Sequence, residues 1–220
     1  MKVQTYTLND TAHVTAYILD SQISYGVHRK RPAMIICPGG GYLTLATKEG
    51  EAVATSFLSQ GYHCFVLRYS TYHLERVTSL EETPIINPKA RYPQPILELM
   101  QTMLLLHENA GEWCLDVDNI FVTGFSAGGH LASVVSTRAA FEARPNFSLL
   151  FYPVISLDRK AAYSRSAGAF FGDKVEDKAT IEAYSTDRQV RPHLTPEAAI
   201  FLANDDKVIT PLANGVAYYS

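Results

Sequence analysis

Cysteine is scarce here and badly spaced for chemistry: Cys37, Cys64 and Cys114 are odd in number and form no CxxC pair. That argues against a disulfide framework or a zinc site and favours a reducing cytoplasm. No apolar run reaches about 18 residues, and the N-terminal MKVQTYTLND is too polar for a secretory signal, so neither export by its own signal nor a membrane span is expected. Positive charge is not in excess either. A net charge of −3 and a pI near 6.2 leave no footprint for nucleic acid, and no polybasic cluster suits a membrane surface. No histidine pair has HExxH spacing, so a metal-activated water has no support. No internal repeat or low-complexity segment is present.

What is there is ordinary in amount. With 47% hydrophobic and 19% charged residues, 220 residues suffice for a single domain with a sizeable core. Val3–Leu8 and Val14–Leu19 alternate as an antiparallel hairpin does. AMIIC (33–37) and HCFVLRYS (63–70) are the apolar runs of strands buried on both faces. Between them, Glu49 and Glu51 stand near the start of a helix through Leu58, where acidic groups suit the helix dipole, and Gly61 is placed to end it. Residues 71–92 form a long polar connection. Pro93 and Pro95 open a helix with Ile96, Leu99, Met100, Met103 and Leu106 or His107 along one face, and Gly111 closes it. Ile120–Thr123, Phe147–Val154 and AIFLA (199–203) complete the strands, with a helix over Ala127–Thr137. Strands alternating with helices predict a mostly parallel sheet with helices on both faces, whose ligand crevice lies beyond the carboxyl ends of the strands. PGGGY (38–42), GFSAG (124–128) and NDD (204–206) all fall at such ends.

Gly124-Phe125-Ser126-Ala127-Gly128 matches GxSxG between a strand and a helix, the setting in which that motif presents a nucleophilic serine. The turn is too sharp for bulky flanking residues, and the helix N-terminus favours developing negative charge. An incidental serine in a glycine-rich turn is the bland alternative. Gly39-Gly40-Gly41 lets backbone amides approach a ligand unhindered, so Gly40 and Gly41, with the Ala127 amide, are the candidate oxyanion hole.

The ordered set PGGGY, Glu49-Gly50-Glu51, GYHCFVLRYS, Tyr92-Pro93, GFSAGGHLA and FLANDDKV resembles bacterial esterase/lipase-like α/β-hydrolases over residues 30 to 220. The likeness is greatest to the acetyl-xylan or feruloyl-esterase-like branch related to the hormone-sensitive lipase group. It implies a three-layer α/β-hydrolase fold with an eight-stranded, mostly parallel sheet, a Ser–His–Asp triad in chain order Ser, Asp, His, no cofactor, and a small-molecule ester substrate. Asp206 in Asp206-Lys207-Val208-Ile209 fits the family acid, with Asp205 the runner-up. Residues 157–196 fit a cap over the crevice. Tyr42, Tyr92 and Phe125 are substrate-binding candidates, and Tyr72, Phe170 and Phe171 could extend an apolar or sugar-stacking wall.

The family histidine should follow the acid, yet all seven histidines (13, 28, 63, 73, 107, 130, 193) precede Asp206. The expectation is therefore a C-terminally truncated chain, without its last strand and helix, nearly inert by itself and prone to dimerise or aggregate. His130, His193 and His73 are the weak substitutes. A non-catalytic ligand-binding homologue, like the plant gibberellin receptor that resembles this superfamily, and a formamidase-type amidase remain alternatives.

Overall fold

A computed structural model describes residues 1–20, 23–24, 27–74, 83–157, 164–172, 175 and 177–220. Parts of the 71–92 connection and of the 157–196 segment thus lie outside the described residues. The chain runs β1 (Lys2–Thr7), β2 (His13–Ile18), β3 (Ile23–Ser24), β4 (Val27–His28), β5 (Arg31–Cys37), α1 (Glu51–Leu58), β6 (His63–Arg68), α2 (Gln94–Glu108) and α3 (Ala110–Trp113). It continues with β7 (Leu115–Phe125), α4 (Ala127–Arg138), β8 (Phe147–Phe151), α5 (Ser164–Phe171), α6 (Lys178–Tyr184), β9 (Glu197–Phe201) and α7 (Gly215–Tyr219). The main sheet has seven strands in the order β1-β2-β6-β5-β7-β8-β9. β1 and β2 pair antiparallel, as does β2 with β6; from β6 to β9 all pairings are parallel.

Alternation along the central strands divides the core in two. Ala33, Ile35 and Cys37 of β5 join Phe65 and Leu67 of β6 and Val122 of β7 on the face covered by α2 and α4. Met34 and Ile36 join Cys64 and Val66 against Ala54 of α1 on the other. Each fully buried Ile, Leu or Phe contributes roughly 1.5–3 kcal/mol of transfer free energy. That is why these runs are apolar on both faces rather than alternating with polar residues.

Three local expectations are corrected. Gly111 does not close the long helix: α2 ends at Glu108, Gly111 lies within α3, and the chain reverses at Cys114, whose φ is 50°. β7 begins at Leu115 rather than Ile120, because Leu115 pairs with Arg31 across a bulge despite the turn-forming Asp116, Asp118 and Asn119. On α2 the buried face includes Glu98 as well as Leu99, Met103 and Leu106, whereas His107 is exposed. The Glu98 carboxylate is sealed from solvent and accepts from Ser70 N (2.7 Å), Ser70 Oγ (2.5 Å) and Asn9 Nδ2 (2.7 Å). A buried charge persists only when hydrogen-bonded in this way, and here it ties the β1–β2 turn to the end of β6.

Candidate active site

Ser126 sits at the junction of β7 and α4 with φ 50° and ψ −114°, a conformation that L-residues rarely adopt. Holding it costs about 1–3 kcal/mol, so its surroundings must over-determine it. They do: Ser126 N donates to Phe151 O (3.0 Å), and its carbonyl accepts from His130 N (3.1 Å) and Val154 N (3.0 Å). The flanking glycines are required by space. A Cβ on Gly124 would lie 2.3 Å from the Gly128 carbonyl oxygen, and one on Gly128 would lie 2.0 Å from the Cys37 carbonyl oxygen.

The glycine run after β5 passes directly beside the serine, since a Cβ on Gly39 would fall 3.2 Å from Ser126 Cβ. Gly40, Gly41 and Tyr42 all have positive φ (122°, 67° and 59°). The loop is closed by its own carbonyls: Gly40 O accepts from Leu43 N and Thr44 N, and Gly39 O from Ala46 N. Gly39 N donates to Glu49 Oε2 (2.6 Å). Among the described residues no acceptor takes the Gly40, Gly41 or Ala127 N–H, so one amide next to the serine and two in the loop that passes it remain unpaired.

The two candidate acids differ. Asp206 is half-buried, and its Oδ1 accepts from Val208 N (2.8 Å) and Ile209 N (2.9 Å); Asp205 is exposed. Asp206 follows β9 and Ser126 follows β7, two strand spacings apart or about 10 Å.

The histidines fall into separate places. His63 and His193 stand at the amino ends of β6 and β9, and His107 lines the same cavity as His193, so all three lie at the end of the sheet opposite Ser126. His130, expected beneath the elbow, is fully buried there, with Nδ1 2.8 Å from the Tyr42 hydroxyl and Nε2 2.8 Å from the Tyr184 carbonyl oxygen. A carbonyl only accepts, so Nε2 carries the proton and Nδ1 accepts from Tyr42. Both nitrogens are thereby occupied. Burial pushes this imidazole down to about 4 from 6.5. Between those values the unfolded chain binds a proton that the folded chain does not. The stability this group supplies is therefore complete above pH 6.5 and is lost as pH falls towards 4, by roughly 3 kcal/mol. Denaturant midpoints measured across that window should fall steeply for the native chain and less so for His130→Gln. Parallel slopes would refute this.

The aromatic candidates are dispersed. Tyr42 has its ring in the core, 4.6 Å from Phe170, instead of facing the crevice; only its backbone stays in the glycine loop. Phe170 and Phe171, expected as wall residues, are likewise buried. Phe125 points to the opposite face of the sheet and stacks on Phe151 at 4.9 Å. Tyr92 is half-buried, and its hydroxyl accepts from Tyr184 Oη at 2.8 Å. The 157–196 segment thus contributes α5 and α6 to packing above α4.

Sequence reasoning missed Glu49 and Tyr152. Glu49 is not a helix-dipole acid; it lies in the turn before α1, where it accepts from Gly39 N and from Tyr152 Oη (2.9 Å). Its spacing from Gly39 carries no periodicity that could have exposed the contact. Tyr152 ends β8 with φ 35°. Burial raises its phenol first, followed by donation to Glu49 and the charges of Glu49 and Asp206. Glu49→Gln should bring this phenol's ionisation to lower pH, read from tyrosinate absorbance with Tyr152→Phe identifying the transition. An unmoved transition would show that Glu49 does not hold it.

Known proteins resemble this chain in sequence and fold. A family model described as alpha/beta hydrolase fold matches residues 86–212, and the BD-FAE family model matches residues 19–148. The acetylxylan esterase of Xylanibacter ruminicola is 38% identical over 190 residues, covering 86% of this chain and 36% of its own length. Endo-1,4-beta-xylanase B of Butyrivibrio fibrisolvens is 26% identical, with 86% and 29% covered. The chain thus spans about a third of these two relatives. Among solved structures, the acetyl ester-xyloside bifunctional hydrolase of Caldicellulosiruptor lactoaceticus superposes with a TM-score of 0.78 at 29% identity, over 94% of this chain and 71% of that one. A carboxylesterase of Lactobacillus plantarum WCFS1 gives 0.78 at 25% identity, over 100% and 78%. With a serine at a strand–helix elbow, a glycine loop beside it and family matches that each cover more than half of the residues, the chain belongs to the alpha/beta hydrolase fold family.

Proposed function

We propose that this chain is a serine-dependent carboxylic ester hydrolase acting on short-chain acyl esters, with acetylated carbohydrate as the substrate class. The observation that carries the reading is the Ser126 backbone, strained and locked between glycines, with one unpaired amide next to it and two in the loop that passes it. Names of relatives that include acetylxylan esterase and an acetyl ester-xyloside hydrolase support the carbohydrate ester.

In this mechanism Ser126 Oγ attacks the ester carbonyl carbon while its proton passes to an imidazole. The carbonyl oxygen becomes an oxyanion held by the Gly40, Gly41 and Ala127 amides. Collapse of the tetrahedral species breaks the bond to the alcohol, which leaves with the imidazolium proton; water then cleaves the acyl-serine by the same steps. Asp206 orients the imidazole, and the gap between its strand end and that of Ser126 admits one ring with a hydrogen bond at each nitrogen. That imidazole is taken to come from outside the described side chains: His130 is sealed, His63, His107 and His193 stand at the wrong end of the sheet, and His13 and His73 line a cleft that Ser126 does not.

The test is hydrolysis of p-nitrophenyl acetate by the chain, alone and with imidazole added in solution, beside Ser126→Ala. Turnover that depends on Ser126 in either condition supports the reading. Identical rates for both proteins in both conditions overturn it and favour the second reading, a ligand-binding homologue, suggested by the lack of any described imidazole bonded to Ser126.

A further inference from the structure

A cleft between the β1–β2 hairpin and the 71–74 loop plays no part in this chemistry. It encloses about 430 Å³, and its lining includes Thr5, Thr7, Asp10, His13, His73 and Asn87. That size is within the roughly 300–1,000 Å³ of small-molecule sites. Thr7 faces His13 across the hairpin, and Thr5 lies two residues back on the same side. The cleft floor is built rather than incidental. The Asn9 side-chain oxygen accepts from Thr11 N (2.8 Å) and Ala12 N (3.0 Å), and its amide donates to the buried Glu98.

The chemistry of the lining narrows the ligand. Its carboxylate, Asp10, is paired with Lys89 at 2.7 Å, and no lysine or arginine lines the cleft, so a phosphate or sulfate finds no partner. Among the described residues no group of three or more His, Cys, Asp and Glu gathers to hold a metal ion. Among the described residues nothing in the protein bonds to the Thr5 and Thr7 hydroxyls or the His13 and His73 imidazoles. Groups that both donate and accept suit a neutral ligand rich in hydroxyls.

The cleft adjoins a cavity that reaches the end of the glycine loop. A second cavity of about 370 Å³, lined by Leu43, Tyr72, His73, Arg91, Gly168 and Ala169, shares His73 with the first. Its Leu43 belongs to the glycine loop, and the backbone is continuous there: Tyr72 N donates to Tyr42 O (2.8 Å) and His73 N to Leu43 O (2.9 Å). β7, β5, β6, β2 and β1 are successive neighbours, so the hairpin lies three to four strand spacings, about 14–19 Å, from the strand that carries Ser126. An ester of one sugar cannot span that distance; a chain of several can.

We propose that this cleft is a distal subsite for a neutral polysaccharide, the backbone bearing the ester that is cleaved at Ser126. The identity of that backbone rests on the esterase reading, whereas binding needs no turnover. The experiment is calorimetric titration of the 220-residue protein with a long, unesterified linear xylo-oligosaccharide and with xylobiose. The long chain should bind at least about tenfold more tightly than xylobiose. Thr7→Val and His13→Ala should each weaken long-chain binding by about tenfold, leaving xylobiose unaffected. Ser126→Ala should bind like the native chain. Thermal melts establish that each variant is folded, and Thr7→Val at an exposed strand position keeps the test open should His13→Ala unfold. Equal binding of long and short chains, no binding of either, or indifference to both variants overturns the subsite. Long-chain binding without Ser126-dependent hydrolysis, even with imidazole added, sinks the esterase reading and leaves the subsite standing; Ser126-dependent hydrolysis without long-chain binding does the reverse.

Discussion

Without added imidazole, the chain is expected to turn over p-nitrophenyl acetate on the order of 10⁶ more slowly than the Caldicellulosiruptor lactoaceticus hydrolase assayed beside it. A serine hydroxyl does not give up its proton unaided, and neither nitrogen of the nearest buried imidazole, His130, is free to take it. The amides of Gly40, Gly41 and Ala127 need no base, so a residual acceleration of roughly 10³–10⁴ over water is expected. Ser126→Ala should leave that residue nearly untouched, because the serine contributes little without a proton acceptor. Added imidazole should then separate the two proteins, raising turnover by the native chain above the reagent's own reaction but not that by Ser126→Ala. High, Ser126-dependent turnover with no imidazole present would place a base within these residues or across a dimer, and the proposed role of an external histidine would fall.

Gly128→Ala should be among the most damaging single methyl additions at the described glycines. Its Cβ would lie 2.0 Å from Cys37 O, 2.5 Å from Pro38 O and 2.7 Å from Cys37 C, all of them backbone atoms in or beside a central strand. No side-chain rotation relieves that overlap. The loss should reach about 3–5 kcal/mol, the upper end for overpacking. For a domain of this size that corresponds to a melting temperature lower by roughly 10–15 °C. Gly111→Ala is the matched control. Nothing lies within 4 Å of its added Cβ, and it sits in α3, so alanine should gain about 0.5–1 kcal/mol. Melting curves in which the two variants moved together would show that the elbow is not held by this close approach.

The parts that were legible in sequence are those whose physics is local. Strands buried on both faces must be apolar throughout, so 33–37 and 63–70 declare themselves, the second two residues longer than the strand that forms, and the serine elbow shows because its flanking residues have no room for a Cβ. The hairpin was equally plain from its alternation. What stayed hidden depends on partners far along the chain. The apolar run of the serine's strand starts at Ile120, and only pairing with Arg31 carries the strand back to Leu115, past Asp116 and Asp118. Glu98 reads as a solvated helix position until Ser70 and Asn9 are seen around it. Glu49 looked like a helix-start acid until Gly39 claimed its carboxylate. Tyr42, Phe170 and Phe171 read as crevice residues because aromatic side chains serve a wall and a core equally well, and burial alone decides between them.

The close approach at Gly128 also bears on the order in which the molecule assembles. The serine's unusual backbone is fixed by Phe151, by Val154 and by carbonyls at the end of β5, none of them near Ser126 in the chain. Closing such long loops costs entropy before any contact repays it, so contacts of this separation form late. An excised peptide covering β7 and α4 would contain GFSAG yet relax out of the elbow. The reactive geometry is a property of the finished sheet, and partly folded or newly synthesised chains carry the motif without the strained serine.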